Sequence, residues 1–147
     1  MVLDIPGGLF GQDDVRETAV AVEGTIYWSC SGGIFTASSP DTNDVVNAGS
    51  KITMSGSTII LSAPVFLPHG AVITAVICYG SETDESWYLR RGASNGTYTE
   101  MGTANFNTED TTITTPTVNN IDYNYFLSTT SLDATDEIYG AKITYTI

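Results

Sequence analysis

Apolar and polar residues alternate along this chain with the two-residue period of β-strands. The longest apolar and β-branched run, APVFLPHGAVITAVICYG at residues 63–80, predicts a central strand over residues 71–79 that fills the core on both faces. The final run, EIYGAKITYTI at residues 137–147, alternates cleanly and predicts a half-buried antiparallel strand. Since no segment sustains a 3.6-residue period, the pattern predicts strands and no substantial helix.

Turn residues divide the rest of the chain into shorter strand-like runs. Gly56-Ser57 predicts a tight hairpin between residues 51–55 and 58–62, and the turn SETDE at 81–85 predicts another between residues 71–79 and 86–91. The runs at residues 17–23 and 25–30, separated by Gly24, predict either one bent strand or two strands. Further strands are predicted at residues 97–106, 122–130 and, weakened by Pro116, 111–118, and residues 65–67 lead into the Pro68-His69-Gly70 turn.

Regular spacing of these turns indicates the fold class. Turn signals that recur roughly every 8–12 residues are typical of all-β sandwiches. We therefore predict an all-β fold, an antiparallel β-sandwich, for which a jelly roll fits best. An immunoglobulin-like Greek key and an up-and-down barrel are the alternatives.

The chain, at 147 residues, has the length of one domain. Residues 1–15 contain scattered Pro and Gly without a period, which predicts an extended N-terminal arm, and residues 16–147 are predicted to form a single sandwich domain. We expect the arm to dock on its own domain or on a neighbouring subunit, because a large apolar side chain gains about 1.5–3 kcal/mol on full burial. Its apolar residues are Leu3, Ile5, Leu9 and Phe10.

Charge argues against several classes of partner. Lys and Arg number 5 against 17 Asp and Glu, a formal net charge of -12 that repels a phosphate backbone or an anionic membrane. The opening residues lack the basic start and apolar segment of a secretory signal, and no run reaches the roughly 20 apolar residues of a membrane helix. We expect no nucleic acid and no membrane partner, and a location in a virion or on an extracellular surface.

Cys30 and Cys78 each fall on the apolar side of a predicted strand. Free buried thiols are the first interpretation, and an inter-sheet disulfide is the alternative. The one histidine, His69, lies in a Pro-His-Gly turn with no second His and no flanking acid, which favours a turn residue over a metal ligand or a base.

The runs LPHGAVITAVICYG, SWYLRR, IDYNYFLSTT and DEIYGAKITYTI together resemble a type of β-sandwich domain found in phage virion proteins and prokaryotic surface proteins. In that type a proline-glycine turn opens a strand, a strand with a basic end follows, and a YG-x-x-I-x-YT strand closes the domain. The resemblance covers about residues 63–147. It implies a display or assembly module, with no catalytic residues to carry over.

Two groups of side chains are candidates for ligand binding. Acidic loop residues supply the oxygens that calcium takes, and the best such set is Asp133, Asp136 and Glu137, although none of the acidic clusters has an EF-hand spacing and solvated turns are the alternative. Among the aromatic residues, Tyr88 and Tyr98 are the exposed candidates for stacking on a sugar. Trp28 and Trp87 are predicted to face the core.

No stretch assembles a nucleophile with a base, a phosphate loop or a spaced metal cluster, so we do not expect an enzyme. The first functional hypothesis is a structural protein that forms a homo-oligomer or lattice, such as a virion spike, a decoration protein or a surface filament subunit, with other structural subunits as further partners. The alternative is a carbohydrate-binding module for surface glycans, with calcium as its possible cofactor. A glycoside hydrolase built on paired carboxylates is a remote third hypothesis.

Overall fold

A computed structural model describes residues 24–38, 45–56 and 58–147 of the chain. In this part the strands are β1 Ile26–Ser31, β2 Thr36–Ala37, β3 Val45–Asn47, β4 Ile52–Met54, β5 Leu61–Val65, β6 Val72–Gly80, β7 Ser86–Ala93, β8 Tyr98–Asn105, β9 Tyr123–Thr129 and β10 Glu137–Thr146. One 3₁₀ turn, Gly32–Ile34, follows β1. The predicted arm, with Leu3, Ile5, Leu9 and Phe10, and the predicted strand at 17–23 lie outside the described residues.

The strands form two antiparallel sheets. The first sheet has the order β1-β10-β4-β3 with β6 also paired to β10, and the second has the order β2-β5-β9-β7-β8. The chain crosses between the sheets after β1, β2, β4, β5, β6 and β9. The prediction of an all-β antiparallel sandwich is confirmed.

β10 is the central strand of the first sheet. It pairs with β6 along one edge, and with β1 and then β4 along the other. The prediction that residues 71–79 form the central strand is therefore wrong, since within the described residues β6 has only β10 as a ladder partner. Its other edge is covered by a non-strand segment, where Asp110 N donates to Val76 O and Asn107 N donates to Cys78 O.

Both predicted hairpins are wrong for one physical reason. β4 and β5 belong to different sheets, as do β6 and β7, so the chain at Gly56 and at residues 81–85 crosses the edge of the sandwich. A turn signal shows where a strand ends but not which strand it will pair with. The weak strand predicted at 111–118 is also absent, and there the structure has only an isolated bridge from Thr117 to Val72.

Alternate side chains of the two sheets meet in one core. Trp87, predicted to face inward, is fully buried and donates its indole N–H to Thr108 O at 3.3 Å, whereas Trp28 is half-buried at the core margin. The largest other side chains that are fully buried include Phe35, Met101, Phe106 and Leu127. Among the described residues no helix has the length and hydropathy needed to cross a membrane.

The two cysteines lie in the same sheet. Cys30 of β1 and Cys78 of β6 both pair with Ala141 of β10, from opposite edges of that strand. Two interstrand spacings separate them by about 9.5 Å between Cα atoms, beyond the reach of a disulfide. The prediction of free thiols is confirmed, and the inter-sheet disulfide is ruled out. Burial raises the pKa of both thiols, that of Cys78 the more strongly.

Candidate functional site

The outer face of the second sheet presents three rows of side chains, which the strand register defines. One row runs Thr36, Ser62, Ser128, Tyr88 and Thr103 from β2 to β8. The next runs Pro64, Phe126, Arg90 and Glu100, and the third runs Asn124, Gly92 and Tyr98. These rows face outward because the intervening residues, such as Leu89 and Leu127, fill the core. Hydroxyl, amide, aromatic and cationic groups thus share one surface.

A groove of about 510 Å³ lies over β5 and β9 on this face, within the size range of small-molecule sites. Phe66, which continues the outward alternation just after β5, is 77% exposed at its rim. Polar side chains on the lining include Ser62 and Asn124. The other lining residues are Thr36, Ala63, Pro64, Val65, Leu67, Asn120, Tyr123, Tyr125 and Phe126.

One end of the groove is closed by two turns that are hydrogen-bonded to each other. Asn120 donates its side-chain N–H to Leu67 O at 2.8 Å, and its backbone N–H to His69 Nδ1 at 3.1 Å. Below them, the Tyr125 hydroxyl accepts a hydrogen bond from Asn119 N at 2.7 Å. His69 therefore acts as the turn residue that the sequence favours, and it holds the end wall of the groove in place.

Tyr88 and Tyr98, the predicted sugar-stacking residues, lie together on the same face but beside the groove. The guanidinium of Arg90 sits 4.4 Å from the ring centre of Tyr88 and 4.6 Å from that of Tyr98. Tyr98 also makes an edge-to-face contact with Phe126 of the groove, with ring centres 6.1 Å apart. The two tyrosines are therefore connected to the groove, although their role in sugar binding stays a prediction.

Arg91, the neighbour of Arg90 in β7, points to the opposite face of the sheet, as alternation requires. Its guanidinium lies 4.5 Å from the ring centre of Tyr123, a residue of the groove lining. Both arginines of this strand therefore stack against aromatic rings at or near the groove. Cation–π contacts of this kind are worth about 0.5–2 kcal/mol.

The predicted calcium set is not assembled by the structure. Asp136 Oδ2 accepts a hydrogen bond from Asp133 N at 2.7 Å, which closes a local turn. Glu137 instead turns to Lys51, with Oε1 and Nζ 2.6 Å apart, and accepts from Thr53 Oγ1 at 3.2 Å. Among residues 24–38, 45–56 and 58–147, no three His, Cys, Asp or Glu side chains are grouped to hold a metal ion. Lys51 thus holds Glu137 apart from the other two acids in this arrangement, and calcium binding by the three residues stays a prediction.

A second acidic group, called the acidic corner below, lies where the β6–β7 turn meets the start of β10. It consists of Glu82, Asp84, Glu85, Asp136 and Glu137. Glu82 is 5% exposed, and its Oε2 accepts from Ser81 Oγ at 2.8 Å and from Glu137 N at 3.3 Å. Its Oε1, like Glu85 Oε2, is buried without a hydrogen-bond partner among the described residues.

Two carboxyl groups of the acidic corner have a raised pKa. Burial, a hydrogen bond with Asp84 and the negative charges of Asp136 and Asp84 raise the pKa of Glu85 to about 7. Burial is also the main cause that raises the pKa of Glu82. In contrast, the hydrogen bond and charge of Lys51 lower the pKa of Glu137. Glu82 and Glu85 therefore hold protons more readily than ordinary carboxylates do, and Glu137 less readily.

Sequence reasoning missed most of the groove. Phe66 could have been found, because Val65 and Leu67 are inward-facing members of the same alternation and leave Phe66 pointing out. Asn120 and Asn124 carried no such signal, since asparagine in a turn is predicted to serve the backbone. The position of Arg90 between two tyrosines depends on the pairing of β7 with β8, which the sequence does not show.

Comparisons with known proteins give little beyond architecture. No protein-family model matches the chain, and no curated protein matches its sequence. Among solved structures, the C-terminal CBM6 of LamC, a marine laminarinase from Zobellia galactanivorans, is similar with a TM-score of 0.49 and 12% sequence identity, over 81% of this chain and 99% of that one. The resemblance to phage virion and prokaryotic surface domains stays a prediction. What this chain binds must be argued from its own residues.

Proposed function

We propose that this protein is a non-catalytic carbohydrate-binding module that holds a glycan in the groove over β5 and β9. The single observation that carries the proposal is the lining of that groove, where the aromatic rings of Phe66 and Phe126 and the amides of Asn120 and Asn124 lie together. A sugar ring has apolar C–H faces and a rim of hydroxyl groups. An aromatic ring packs against the apolar C–H faces, and Asn and Ser side chains exchange hydrogen bonds with the hydroxyl groups.

The geometry supports a preformed site. Asn124 extends from β9, a strand paired on both sides, and its amide oxygen lies above Gly92, whose missing side chain leaves room for it. Asn120 is fixed through Leu67 and His69. A site whose polar groups are held before the ligand arrives loses less conformational entropy on binding.

The composition of the lining favours binding over hydrolysis. Glycoside hydrolysis requires two carboxyl groups roughly 5–9.5 Å apart across the sugar. None of the described lining residues is Asp, Glu, His or Cys. The nearest acid in the outer-face rows is Glu100 on β8, beyond Arg90 from the groove. The groove thus offers groups that hold a sugar, and the acidic corner is on another part of the fold.

Substitution of Phe66 tests the proposal. Phe66→Ala removes the most exposed aromatic side chain of the groove without opening a core cavity, so we expect at least a tenfold loss of affinity with an unchanged melting temperature. Tyr27→Ala is the matched control, because Tyr27 is also exposed, at 62%, but lies on the first sheet. Binding is measured on a glycan array and then by calorimetry with the best ligand. An array without any signal, or equal loss in both variants, contradicts the proposal.

Assembly with copies of itself is the second candidate function, and one observation favours it. Phe66 and Ile121 are 77% and 82% exposed on the two turns that hydrogen-bond through Asn120. Large apolar side chains exposed together are typical of contact surfaces. We expect Ile121→Asn to lower self-association in sedimentation experiments. A protein that stays monomeric at high concentration, with or without residues 1–15, contradicts this second function.

A further inference from the structure

We infer that the glycan held in the groove carries an anionic group, a carboxylate or a sulfate, and that Arg90 binds that group. The inference rests on the proposed carbohydrate binding and adds the class of ligand. It follows from the position of one cation on a strongly acidic protein.

The first step concerns where the cations lie. Lys51, Arg90, Arg91 and Lys142 are the cationic side chains of the described residues. Lys51 is paired with Glu137, and Lys142 lies 5.6 Å from the ring centre of Tyr27 on the first sheet. Arg90 lies on the outer face beside the groove and Arg91 on the opposite face of the sheet, and neither forms an ion pair among the described residues. In a chain with a net charge of -12, Arg90 is thus an unneutralised cation on the face that carries the groove.

The second step concerns how Arg90 is held. Tyr88 and Tyr98 stack on its guanidinium from the same strand and from β8, and its Nη1 donates to Ser128 Oγ at 3.1 Å. The planar group is therefore fixed before any ligand binds. A fixed, planar guanidinium is well suited to carboxylate and sulfate, because it presents parallel N–H donors to two oxygens.

The third step concerns what Arg90 lacks. Its Nη1 gives one N–H to Ser128 Oγ, and its Nη2 makes no hydrogen bond within the described part of the chain, whereas its Nε is buried and out of reach of a ligand. Glu100 is opposite Arg90 on β8, yet it forms no ion pair with it. Donor capacity on this guanidinium is thus left over. An oxyanion is the ligand group that uses such capacity most strongly.

The fourth step concerns distance from the groove. Arg90 pairs with Phe126, a lining residue, across adjacent strands about 4.8 Å apart. A glycan in the groove that extends by one substituent across Phe126 reaches the guanidinium. Because the whole protein repels anions at long range, an acidic glycan needs a local cation of this kind to be retained.

The test uses glycans that differ only in charge. Dextran is compared with dextran sulfate and carboxymethyl-dextran, and polygalacturonate with its methyl ester, each by affinity electrophoresis with the full chain. We expect the charged member of a pair to bind at least tenfold more tightly than the neutral one. The sulfate and carboxylate arms distinguish the two sources of negative charge.

Three variants assign the effect to Arg90. Arg90→Gln is expected to lose at least tenfold in affinity for the charged member, and Arg90→Lys several-fold, since lysine keeps the charge but not the planar fork. Lys142→Gln, which removes the same charge from the first sheet, is expected to change nothing. Near-ultraviolet circular dichroism of Trp87 verifies that each variant is folded.

The outcomes separate this inference from the proposed function. Equal binding of neutral and charged members, or an Arg90→Gln variant that binds like the wild type, overturns the inference and leaves carbohydrate binding intact. If Lys142→Gln weakens binding as much as Arg90→Gln, the effect is one of net charge and the inference is wrong. If Phe66→Ala has no effect on any glycan and no glycan binds, the proposed function itself fails.

Discussion

The groove face and the acidic corner belong to the same sandwich, but their polar groups are packed in opposite ways. At the groove, Gly92 faces the end of the Asn124 side chain, with an added Cβ 2.8 Å from its Oδ1. At the corner, Gly80 faces the Glu82 carboxylate and the backbone, with an added Cβ 2.6 Å from Glu137 O. A side chain can move aside and a paired strand cannot. An added methyl group at Gly92 is therefore expected to cost less stability than one at Gly80.

The largest effect is expected from Gly80→Ala. The new methyl group collides with Glu82 Oε1 and with the backbone of β10, which is fixed by three other strands. We expect a loss of about 1–3 kcal/mol in the free energy of unfolding, measured with urea. Glycan affinity of the folded fraction should be unchanged. A Gly80→Ala variant as stable as the wild type would show that the surroundings of Gly80 accept a methyl group as easily as those of Gly92.

A smaller effect is expected from pH. The pKa of Glu85 is raised from 4.5 to about 7 in the folded protein, so the folded state binds more protons than the unfolded state between these values. Stability is therefore highest below about pH 4.5 for this group and is lost as the pH rises to 7. Because the carboxyl is partly exposed, we expect a change of about 1 kcal/mol rather than the full linkage value.

Urea unfolding at several pH values between 5 and 8 measures this dependence. Glu85→Gln should flatten the slope, because the amide cannot titrate. Glu82, whose pKa is raised too, contributes a slope of the same sign that survives in this variant. The lowered pKa values of Glu137 and Asp110 act below this range and do not oppose it. A stability that rises between pH 5 and 7 is the result that would contradict the account of the corner.

The smallest effect on stability is expected from Gly92→Ala. The methyl group displaces the amide of Asn124 and leaves the backbone where it is, so the unfolding free energy should change by less than about 1 kcal/mol. Glycan affinity should nevertheless fall several-fold, because Asn124 lines the groove. Calorimetric titration and urea unfolding of the same sample separate the two quantities. Loss of stability without loss of affinity would reverse the comparison between the two regions.

The sequence predicts the strands of this fold better than their partners. The alternation at residues 137–147 identifies β10 and its buried face, because a period of two is a local property. That β10, and not β6, is central depends on which strands meet it from distant parts of the chain, and no local pattern encodes this. The same limit explains both wrong hairpins, since a turn that crosses between sheets has the same residues as one that reverses within a sheet.

At the candidate site, too, strand pairing is what the sequence does not predict. Tyr88 and Tyr98 could be chosen from the sequence as exposed aromatics, but the register that puts Arg90 between them could not. For the acidic residues the limit has another cause. The prediction groups Asp133, Asp136 and Glu137 because they are close in sequence, and the contact of Glu137 with Lys51, 86 positions away, is not visible in that local pattern.

Both thiols of the chain lie in one sheet, on either side of Ala141, so no disulfide joins the two sheets. Folding then needs no oxidant and no isomerase, and dithiothreitol should not shift the melting curve. The two sheets are joined by packing and hydrogen bonds and not by a covalent cross-link.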